Sequence, residues 1–331
     1  MWDKEKASLP YAKRNLSLQP KRATTKTMSK FINPFTDYGF KLIFGREGSK
    51  DLLIEFLNDL LEGERVITDL TFLNNEQLPD YPEGRGIIYD VYCTTDTGEK
   101  IIVEMQNRMQ SNFKERSIFY LSRAIVNQGR TGHDWKFEIK AVYGVFLMNF
   151  IMDKNIKLRT DVILADKETG ELFSEKFRQI FIALPLFKKS EEECETNFER
   201  WIYILNNMET LKRLPFKARK AVFEKLEEIA DVASMSPKER ELYDNSVKVY
   251  RDYLVTMDAA EKEGIKKGMK EGMKEGLKKG LEEGLEEGLK KGREEALNIF
   301  QTAIDMKKQG IDNQLIAEKT GLPLSLIESL K

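Results

Sequence analysis

Residues 101–108 read IIVEMQNR, an apolar run that turns polar at Glu104. The β-branched residues at its start predict a strand. Because successive side chains of a strand point to opposite faces, Glu104 and Gln106 share one face, two residues apart. The strand therefore presents a carboxylate and an amide in the same direction.

The residues before this strand supply its partner. Residues 87–94, IIYDVYCT, predict a second strand, and residues 95–98, TDTG, predict a type I turn with glycine in the last place. This turn opposes three pairs of residues: Tyr92 and Ile102, Asp90 and Glu104, Ile88 and Gln106. Opposed residues lie on the same face, with Cβ atoms roughly 5 Å apart. One face is therefore predicted to carry Asp90, Glu104 and Gln106, and the other to carry Ile87, Tyr89, Val91, Ile101, Val103 and Met105.

Two ionised carboxylates at that distance repel each other unless a proton, a cation or an arginine compensates their charge. A hard divalent ion fits such a pair, since Mg²⁺ commonly binds one or two carboxylates together with water and phosphate. The ion would lower the pKa of its bound water and polarise a phosphoryl oxygen, which permits phosphodiester hydrolysis without histidine. The other interpretation is a solvated sheet face, and a register slip of one residue would break the cluster.

The composition narrows the chemistry further. The chain of 331 residues has one histidine, His133, and two cysteines, Cys93 and Cys194, that are far apart and outside any Cys-x-x-Cys motif. Histidine-based triads, multi-histidine sites and zinc sites are therefore close to excluded. His133 is predicted to serve in a turn or as a helix cap. The formal net charge of −1 leaves any nucleic-acid binding to local basic patches.

The same sequence predicts where the protein acts. Two isolated cysteines are typical of a reducing compartment, and no apolar run is long enough for a signal peptide or a transmembrane helix. We therefore expect a cytoplasmic protein with no membrane association.

Helices and further strands surround the hairpin. Residues 49–63 predict an amphipathic helix, begun by Ser49 and ended by Gly63. A second helix, over residues 112–128, has an apolar face with Ile118, Leu121 and Ile125, and a polar stripe with Arg116, Tyr120, Arg123 and Asn127. Four more strands are predicted at residues 66–73, 141–150, 162–166 and 179–187. The pattern predicts an α/β fold, in which the strand at 141–150 is covered on both sides.

The chain divides into five predicted regions. Residues 1–30 form a basic arm, interpreted either as disordered or as a phosphate-seeking segment. An α/β core follows at 31–190, and a helical region at 191–260. A glycine repeat occupies 261–295, and 296–331 predict a helical hairpin around Thr320-Gly321-Leu322-Pro323. The hairpin has helix-turn-helix character, but its net negative charge argues against docking in the DNA major groove.

The glycine repeat is strictly periodic. Glycines recur every four residues from Gly264 to Gly292, an apolar residue follows each of the first seven, and the remaining positions are mostly Lys and Glu. Eight glycines inside a helix cost about 6–8 kcal/mol relative to alanine. Either the tract is a disordered spacer, or its backbone packs closely against a partner with a right-handed crossing. Because the charged blocks can pair between chains, homo-oligomerisation through this tail is predicted.

Four stretches carry a family resemblance: NPFTDYGFKLIFG at 33–45, FLNDLL at 56–61, YDVYCTTDTGEKIIVEMQNR at 89–108 and ERSIFYLSRAI at 115–125. The order helix, three strands, helix, strand, with Asp on the second strand and Glu-x-Gln on the third, resembles the PD-(D/E)XK nuclease superfamily. More narrowly, the motifs resemble its recombination-promoting nuclease and transposase family, over roughly residues 31–260. The resemblance implies a restriction-endonuclease-like core, in which a mixed central sheet is flanked by helices.

The resemblance also implies roles for the acidic cluster. Asp90 and Glu104 would bind the metal, with the Met105 carbonyl as a further ligand. Gln106 stands where the superfamily pattern has lysine, so it could orient water or a phosphate oxygen but could not stabilise negative charge as an ammonium does. Asp37 matches a family motif and would either complete the acidic site or cap a helix. Glu55 is a weaker candidate.

Three residues of the next helix would contact DNA. Arg116, Tyr120 and Arg123 follow the acidic cluster, and their implied role is phosphate contact and positioning. The other interpretation is an exposed helix face with Tyr120 packed on the sheet.

The resemblance implies a Mg²⁺- or Mn²⁺-dependent DNA endonuclease of transposase type, whose cleavage promotes recombination. The alternative is a catalytically weak or inactive nuclease fold that acts as a DNA-binding or oligomeric interaction protein. A third interpretation is a recombination accessory that binds DNA through the basic arm.

Overall fold

A computed structural model describes residues 29–78, 86–130, 135–216 and 221–330. Residues 1–28 of the predicted arm and His133 lie outside the described residues. The chain divides between Arg251 and Asp252 into two compact units.

A six-stranded mixed sheet forms the centre of the first unit. Its strands are β1 (Leu70–Phe72), β4 (Val91–Thr95), β5 (Lys100–Gln106), β6 (Val142–Met148), β7 (Arg159–Ala165) and β8 (Leu172–Ala183). They lie side by side in the order β1-β4-β5-β6-β8-β7. The neighbours β5, β6 and β8 run parallel, and the other neighbours are antiparallel. Two short strands, β2 (Glu76–Gln77) and β3 (Ile87–Ile88), pair separately.

Helices cover both faces of this sheet, as predicted for an α/β fold. One face packs against α1 (Asp37–Phe44), α2 (Lys50–Leu60), α4 (Asn197–Asn207) and α5 (Val222–Ala230), around the fully buried Trp201. The other face packs against α3 (Phe113–Val126), where Leu121 and Ala124 are buried. Every residue of β6 is buried, and its side chains alternate between the two cores. The predicted coverage of this strand on both sides is therefore confirmed.

The predicted hairpin register is also confirmed. Tyr92 pairs with Ile102 and Cys93 with Ile101 in the antiparallel ladder of β4 and β5. Gly98 closes the turn with a φ of +93°, a conformation that glycine adopts without a Cβ clash. Because the turn fixes the register, the side chains that share a face follow from the sequence.

The predicted strand at 87–94, however, is broken at Tyr89 and Asp90. Ile88 pairs with Glu76 of β2 and does not lie opposite Gln106. The Tyr89 N–H donates to the Asn75 carbonyl, and the Asn75 side chain donates to the Asp90 carbonyl. These bonds take the groups that a continuous ladder would use. As a consequence, Ile87 and Tyr89 lie in the core beneath α3, on the face opposite to Val91 and to the one predicted.

Three local predictions were wrong in whole or in part. The first strand covers only Leu70–Phe72, because the Asn58 side chain binds both the N–H and the carbonyl of Ile67. Ser49 is the N-cap residue of α2, as predicted, but its hydroxyl does not cap the helix, because it donates to the Arg46 carbonyl. Ile118 is 50% exposed, because the buried side of α3 includes Ser117, whose hydroxyl accepts a hydrogen bond from the buried Gln179.

A helix of 72 residues, α6 (Pro237–Lys308), runs through the whole glycine repeat. It is followed by α7 (Asn313–Thr320) and α8 (Leu324–Ser329). Gly321 ends α7 in the left-handed conformation with a φ of +72°, as the sequence predicts. In the second unit, Ala303, Ile316 and Ile327 form a small buried cluster.

None of the helices within the described ranges combines the length and the apolar character that crossing a membrane requires.

Candidate functional site

Asp90 and Glu104 meet where β4 begins. The Asp90 N–H donates to Glu104 Oε1 at 3.1 Å, and the Met105 N–H donates to Asp90 Oδ2 at 2.8 Å. The break in the strand turns the Asp90 side chain onto the backbone of β5, in the place of a ladder partner. Glu104 is only 1% exposed, and the neighbouring Asp90 is half-buried, so the two carboxylates are shielded from much of the solvent.

Burial and mutual repulsion destabilise the charged forms of this pair. Burial raises the pKa of Glu104 well above its usual range, and the nearby Asp90 charge raises it further. Burial likewise raises the pKa of Asp90, although the Met105 N–H acts in the opposite direction. The pair therefore binds protons more tightly than ordinary carboxylates do, and a cation placed between the two groups would replace those protons.

Gln106 holds the second oxygen of Glu104. Its Nε2 donates to Glu104 Oε2 at 2.9 Å, and the side chain is buried. Both oxygens of Glu104 thus accept hydrogen bonds, which fixes the orientation of the carboxylate. The Gln106 bond also lowers the pKa of Glu104, so the amide favours the charged form without carrying a charge itself.

The N-terminal helix α1 brings two charged residues toward the pair. Thr36 is its N-cap and accepts a hydrogen bond from the Gly39 N–H, so Asp37 is not the cap. Asp37 lies in the first turn and forms an ion pair of 2.7 Å with Lys41. Both charges act on the pKa of Asp90: Lys41 lowers it, and Asp37 raises it.

Two contacts fix the position of α1. The Asn107 side chain, just after β5, donates to the Phe35 carbonyl at 2.7 Å, which ties the start of α1 to the end of the strand with the site. Any side chain at Gly39 would collide with the Asn33 carbonyl and the Thr36 hydroxyl.

Sequence reasoning missed Lys41 as a residue of this site. The available signal was its position four residues after Asp37, which places both side chains on one face of the helix.

Arg116 and Tyr120 approach the pair from α3. Arg116 Nε donates to the Tyr120 hydroxyl at 2.9 Å, and Nη1 donates to Gln110 Oε1 at 3.1 Å. The guanidinium lies 4.9 Å from the centre of the Tyr120 ring. Its charge lowers the pKa of both Asp90 and Glu104, so Arg116 lies within electrostatic range of the two carboxylates.

The structure places Arg123 in a different environment. Its Nη2 donates to the Leu78 carbonyl at 2.7 Å, beyond β2, and its charge acts on the pKa of the Tyr89 hydroxyl. Asn127, directly after α3, donates to Gln77 of β2. The polar stripe of α3 therefore has one end at the acidic pair and the other end at the segment that follows β2.

The donor set fits a hard divalent ion. Among the described residues, no group of three or more His, Cys, Asp or Glu side chains is placed to hold a metal. The pair offers two oxygen ligands, in keeping with Mg²⁺ or Mn²⁺ sites that take one or two carboxylates and complete their shell with carbonyl, water and phosphate oxygens. Two neighbouring carboxylates with raised pKa values also concentrate negative potential at the place where such an ion would bind.

A surface cavity of about 270 Å³ lies apart from this pair, beside Tyr143. Its two arginines, Arg65 and Arg178, form ion pairs with Glu99 and Glu64, respectively. The cavity is therefore lined by charges that already compensate one another, and the acidic pair is the better candidate for chemistry.

A comparison with protein families gives one match. The model described as PD-(D/E)XK nuclease family transposase matches residues 34–260, a range that includes Asp37, Asp90, Glu104, Gln106 and Arg116. No curated protein and no solved structure matches the chain significantly.

Proposed function

Because the chain belongs to the PD-(D/E)XK nuclease family transposases, we propose that it is a metal-dependent DNA endonuclease whose cleavage promotes recombination or transposition. The contact between Asp90 and Glu104 carries the proposal, since the half-buried Asp90 and the buried Glu104 lie next to each other, have raised pKa values and match the ligands of Mg²⁺ or Mn²⁺. We further propose that the protein is cytoplasmic and forms homo-oligomers through the glycine repeat.

Asp90 and Glu104, with the Met105 carbonyl as a further ligand, would hold the ion. When bound, the ion supplies an activated water and a polarised phosphoryl oxygen. The protein supplies orientation. The Met105 N–H fixes Asp90, while the Asp90 N–H and the Gln106 amide fix the two oxygens of Glu104. Such preorganisation avoids reordering of the ligands during the reaction.

Positive charge reaches the site from two other elements. Gln106 replaces the superfamily lysine and has no charge, whereas Lys41 of α1 and Arg116 of α3 both lower the pKa of Asp90. We propose that these two residues moderate the repulsion between the acidic pair and a DNA phosphate. Arg116 would contact the phosphate, with Tyr120 and Gln110 fixing its guanidinium.

The contacts of Asp37 and Arg123 are the basis for the role that we propose for each. Asp37 forms an ion pair with Lys41, so we propose that it positions that cation; its predicted role as a further carboxylate of the site stays a prediction. Arg123 binds the Leu78 carbonyl, and we propose that it supports the backbone at the end of β2; its predicted contact with DNA stays a prediction.

The test is cleavage of supercoiled plasmid by the purified full-length chain with Mg²⁺ or Mn²⁺. Asp90→Asn and Glu104→Gln keep the size and hydrogen-bonding capacity of the side chains, but remove the anionic ligands. We expect each to lower the cleavage rate at least about hundredfold. Glu168→Gln, in the exposed turn between β7 and β8, is the matched control and should cleave like the wild type.

The alternative function is that of a DNA-binding or oligomeric interaction protein with an inactive nuclease fold. The uncharged Gln106 favours it, because a neutral amide cannot stabilise developing negative charge as lysine does. If the wild type does not cut with either metal and both variants bind DNA unchanged, this alternative holds and the catalytic proposal fails.

A further inference from the structure

The glycine repeat exposes an apolar face along α6. The seven apolar side chains that follow the glycines are 56–80% exposed: Ile265, Met269, Met273, Leu277, Leu281, Leu285 and Leu289. At each of the eight glycines, an added Cβ would meet none of the described atoms within 4 Å. Glycines destabilise the interior of a helix, and apolar side chains left in solvent lack the stabilisation that burial would give them. A second helix packed on this face would offset both effects.

The charges beside this face form an ordered pattern. Two residues lie between each apolar residue and the next glycine, and these seven pairs read KK, KE, KE, KK, EE, EE and KK from residue 266 to residue 291; an eighth pair, Glu294-Glu295, follows Arg293. The central pairs, Lys278-Lys279 and Glu282-Glu283, have opposite charge on either side of Gly280. The outermost pairs, Lys266-Lys267 and Glu294-Glu295, likewise have positive charge on the N-terminal side and negative charge on the C-terminal side.

We propose that this face pairs with the same face of a second copy of the chain, antiparallel, with the two-fold axis between Gly280 and Leu281. Lys278-Lys279 then lies opposite the partner's Glu282 and the partner's Glu283. The outer pairs match in the same way, and a mixed KE pair lies opposite each remaining block. The inference deepens the proposed homo-oligomerisation and rests on it, but is independent of cleavage chemistry.

Two other arrangements place like charges together. In a parallel pair in register, every block lies opposite its own copy, so Lys278-Lys279 meets lysines and Glu282-Glu283 meets glutamates. An antiparallel shift by one repeat toward the N-terminus puts Lys278-Lys279 opposite itself. Like charges in direct opposition are destabilising, so the charge pattern favours the antiparallel orientation over the parallel one and this register over the one shifted by one repeat.

The same register matches the shapes of the two faces. It places Gly276 opposite the partner's Leu285, and Leu277 opposite the partner's Gly284, and this alternation continues along the repeat. Each leucine therefore meets a position without a side chain, which allows the two backbones to approach closely, as small residues do at other helix interfaces. A repeat of four residues exceeds 3.6 per turn, so a continuous seam winds right-handed.

Charge reversal in the full-length chain tests this orientation. Lys278→Glu with Lys279→Glu should raise the dimer dissociation constant at least about tenfold in analytical ultracentrifugation, because four like-charged blocks then face one another. Adding Glu282→Lys and Glu283→Lys should restore the wild-type constant. The control, Lys167→Glu with Lys176→Glu near the β7–β8 turn, makes the same change in net charge and should have no effect.

A parallel dimer behaves differently. There each block faces itself, and neither the double nor the quadruple charge reversal changes the sign of any interaction. Unchanged dissociation constants in both variants therefore overturn the antiparallel assignment, and a monomeric wild type overturns the pairing itself.

A distance measurement gives an independent readout. A spin label at Glu263→Cys in the full-length chain should lie about 50 Å from its copy in an antiparallel pair, given a rise of 1.5 Å per residue. The native Cys93 and Cys194 are buried, and the chain without Glu263→Cys is labelled in parallel to measure any reaction of these two thiols. A separation below about 20 Å, as a parallel pair requires, contradicts the proposal.

Plasmid cleavage by the same charge variants separates the two proposals: a dimer without cleavage leaves the pairing intact, and a cleaving monomer leaves the nuclease intact.

Discussion

The main chain of Asp90 donates a hydrogen bond to the carboxylate of Glu104 at 3.1 Å, which fixes the half-buried Asp90 beside the buried Glu104. The contact exists because the strand bends at Asp90, where a continuous strand would have continued the ladder. Burial then raises the pKa of both carboxyl groups. Four predictions follow from this arrangement and its neighbours.

The first prediction concerns stability and pH. Glu104 has a higher pKa in the folded state than its ordinary value of 4.5, so the folded chain holds a proton that the unfolded chain releases. The free energy of unfolding should therefore fall as the pH rises above about 5, by about 1–3 kcal/mol at pH 8. Urea denaturation in the presence of a chelator measures this. Glu104→Gln should flatten that part of the pH dependence, whereas Glu168→Gln should leave it intact.

Mg²⁺ supplies the matching control. At pH 8 the ion should restore part of the stability lost by the wild type, because it binds the deprotonated pair of the folded state. Asp90→Asn should not respond. An equal response in wild type and variant would place the ion elsewhere.

A second prediction concerns Lys41. Its charge lowers the pKa of Asp90, so Lys41→Met should move the acidic limb of the cleavage pH profile to higher pH, while Lys41→Arg should keep it in place. Asp37→Asn should move the limb in the opposite direction, because Asp37 raises the same pKa. Profiles that coincide for all three variants would show that α1 plays no electrostatic role.

Gln106 gives a third prediction. Gln106→Lys should lower the pKa of Glu104 by adding a cation at Oε2, and the acidic limb should shift to lower pH. Gln106→Leu removes the donor and should reduce the cleavage rate about tenfold or more. Circular dichroism checks that both variants fold. If Gln106→Lys folds and is inactive, the neutral amide itself is required.

The fourth prediction concerns DNA affinity. Arg116→Ala should weaken binding of duplex DNA of any sequence and reduce the salt dependence by about one ion, as expected for a phosphate contact. Tyr120→Phe removes the hydroxyl that accepts from Arg116 Nε, and should have a smaller effect in the same direction. Arg123→Ala is the comparison, since that guanidinium binds the Leu78 carbonyl. Equal losses for Arg116 and Arg123 would contradict the special position of Arg116.

Much of the local structure followed from the sequence. The turn at residues 95–98 set the hairpin register, and with it the shared face of Tyr92 and Ile102. The apolar run at 141–150 predicted the strand with both faces buried, and Gly321 predicted the end of α7. These predictions succeed because turn geometry, side-chain alternation and the conformational freedom of glycine act over a few residues.

The site itself needed tertiary structure. The sequence paired Asp90 with Glu104, but the bend at Asp90 depends on the Asn75 side chain, and the approach of Lys41 depends on the contact between Asn107 and Phe35, 72 residues apart in the chain. Ser117, and not Ile118, lies on the buried side of α3, because its hydroxyl accepts a hydrogen bond from Gln179 beneath the helix. The sequence by itself determined which side chains share a strand face. Packing decided which helices and loops bring charge to that face. Those contacts join residues far apart in the chain, and no local sequence pattern indicates such contacts.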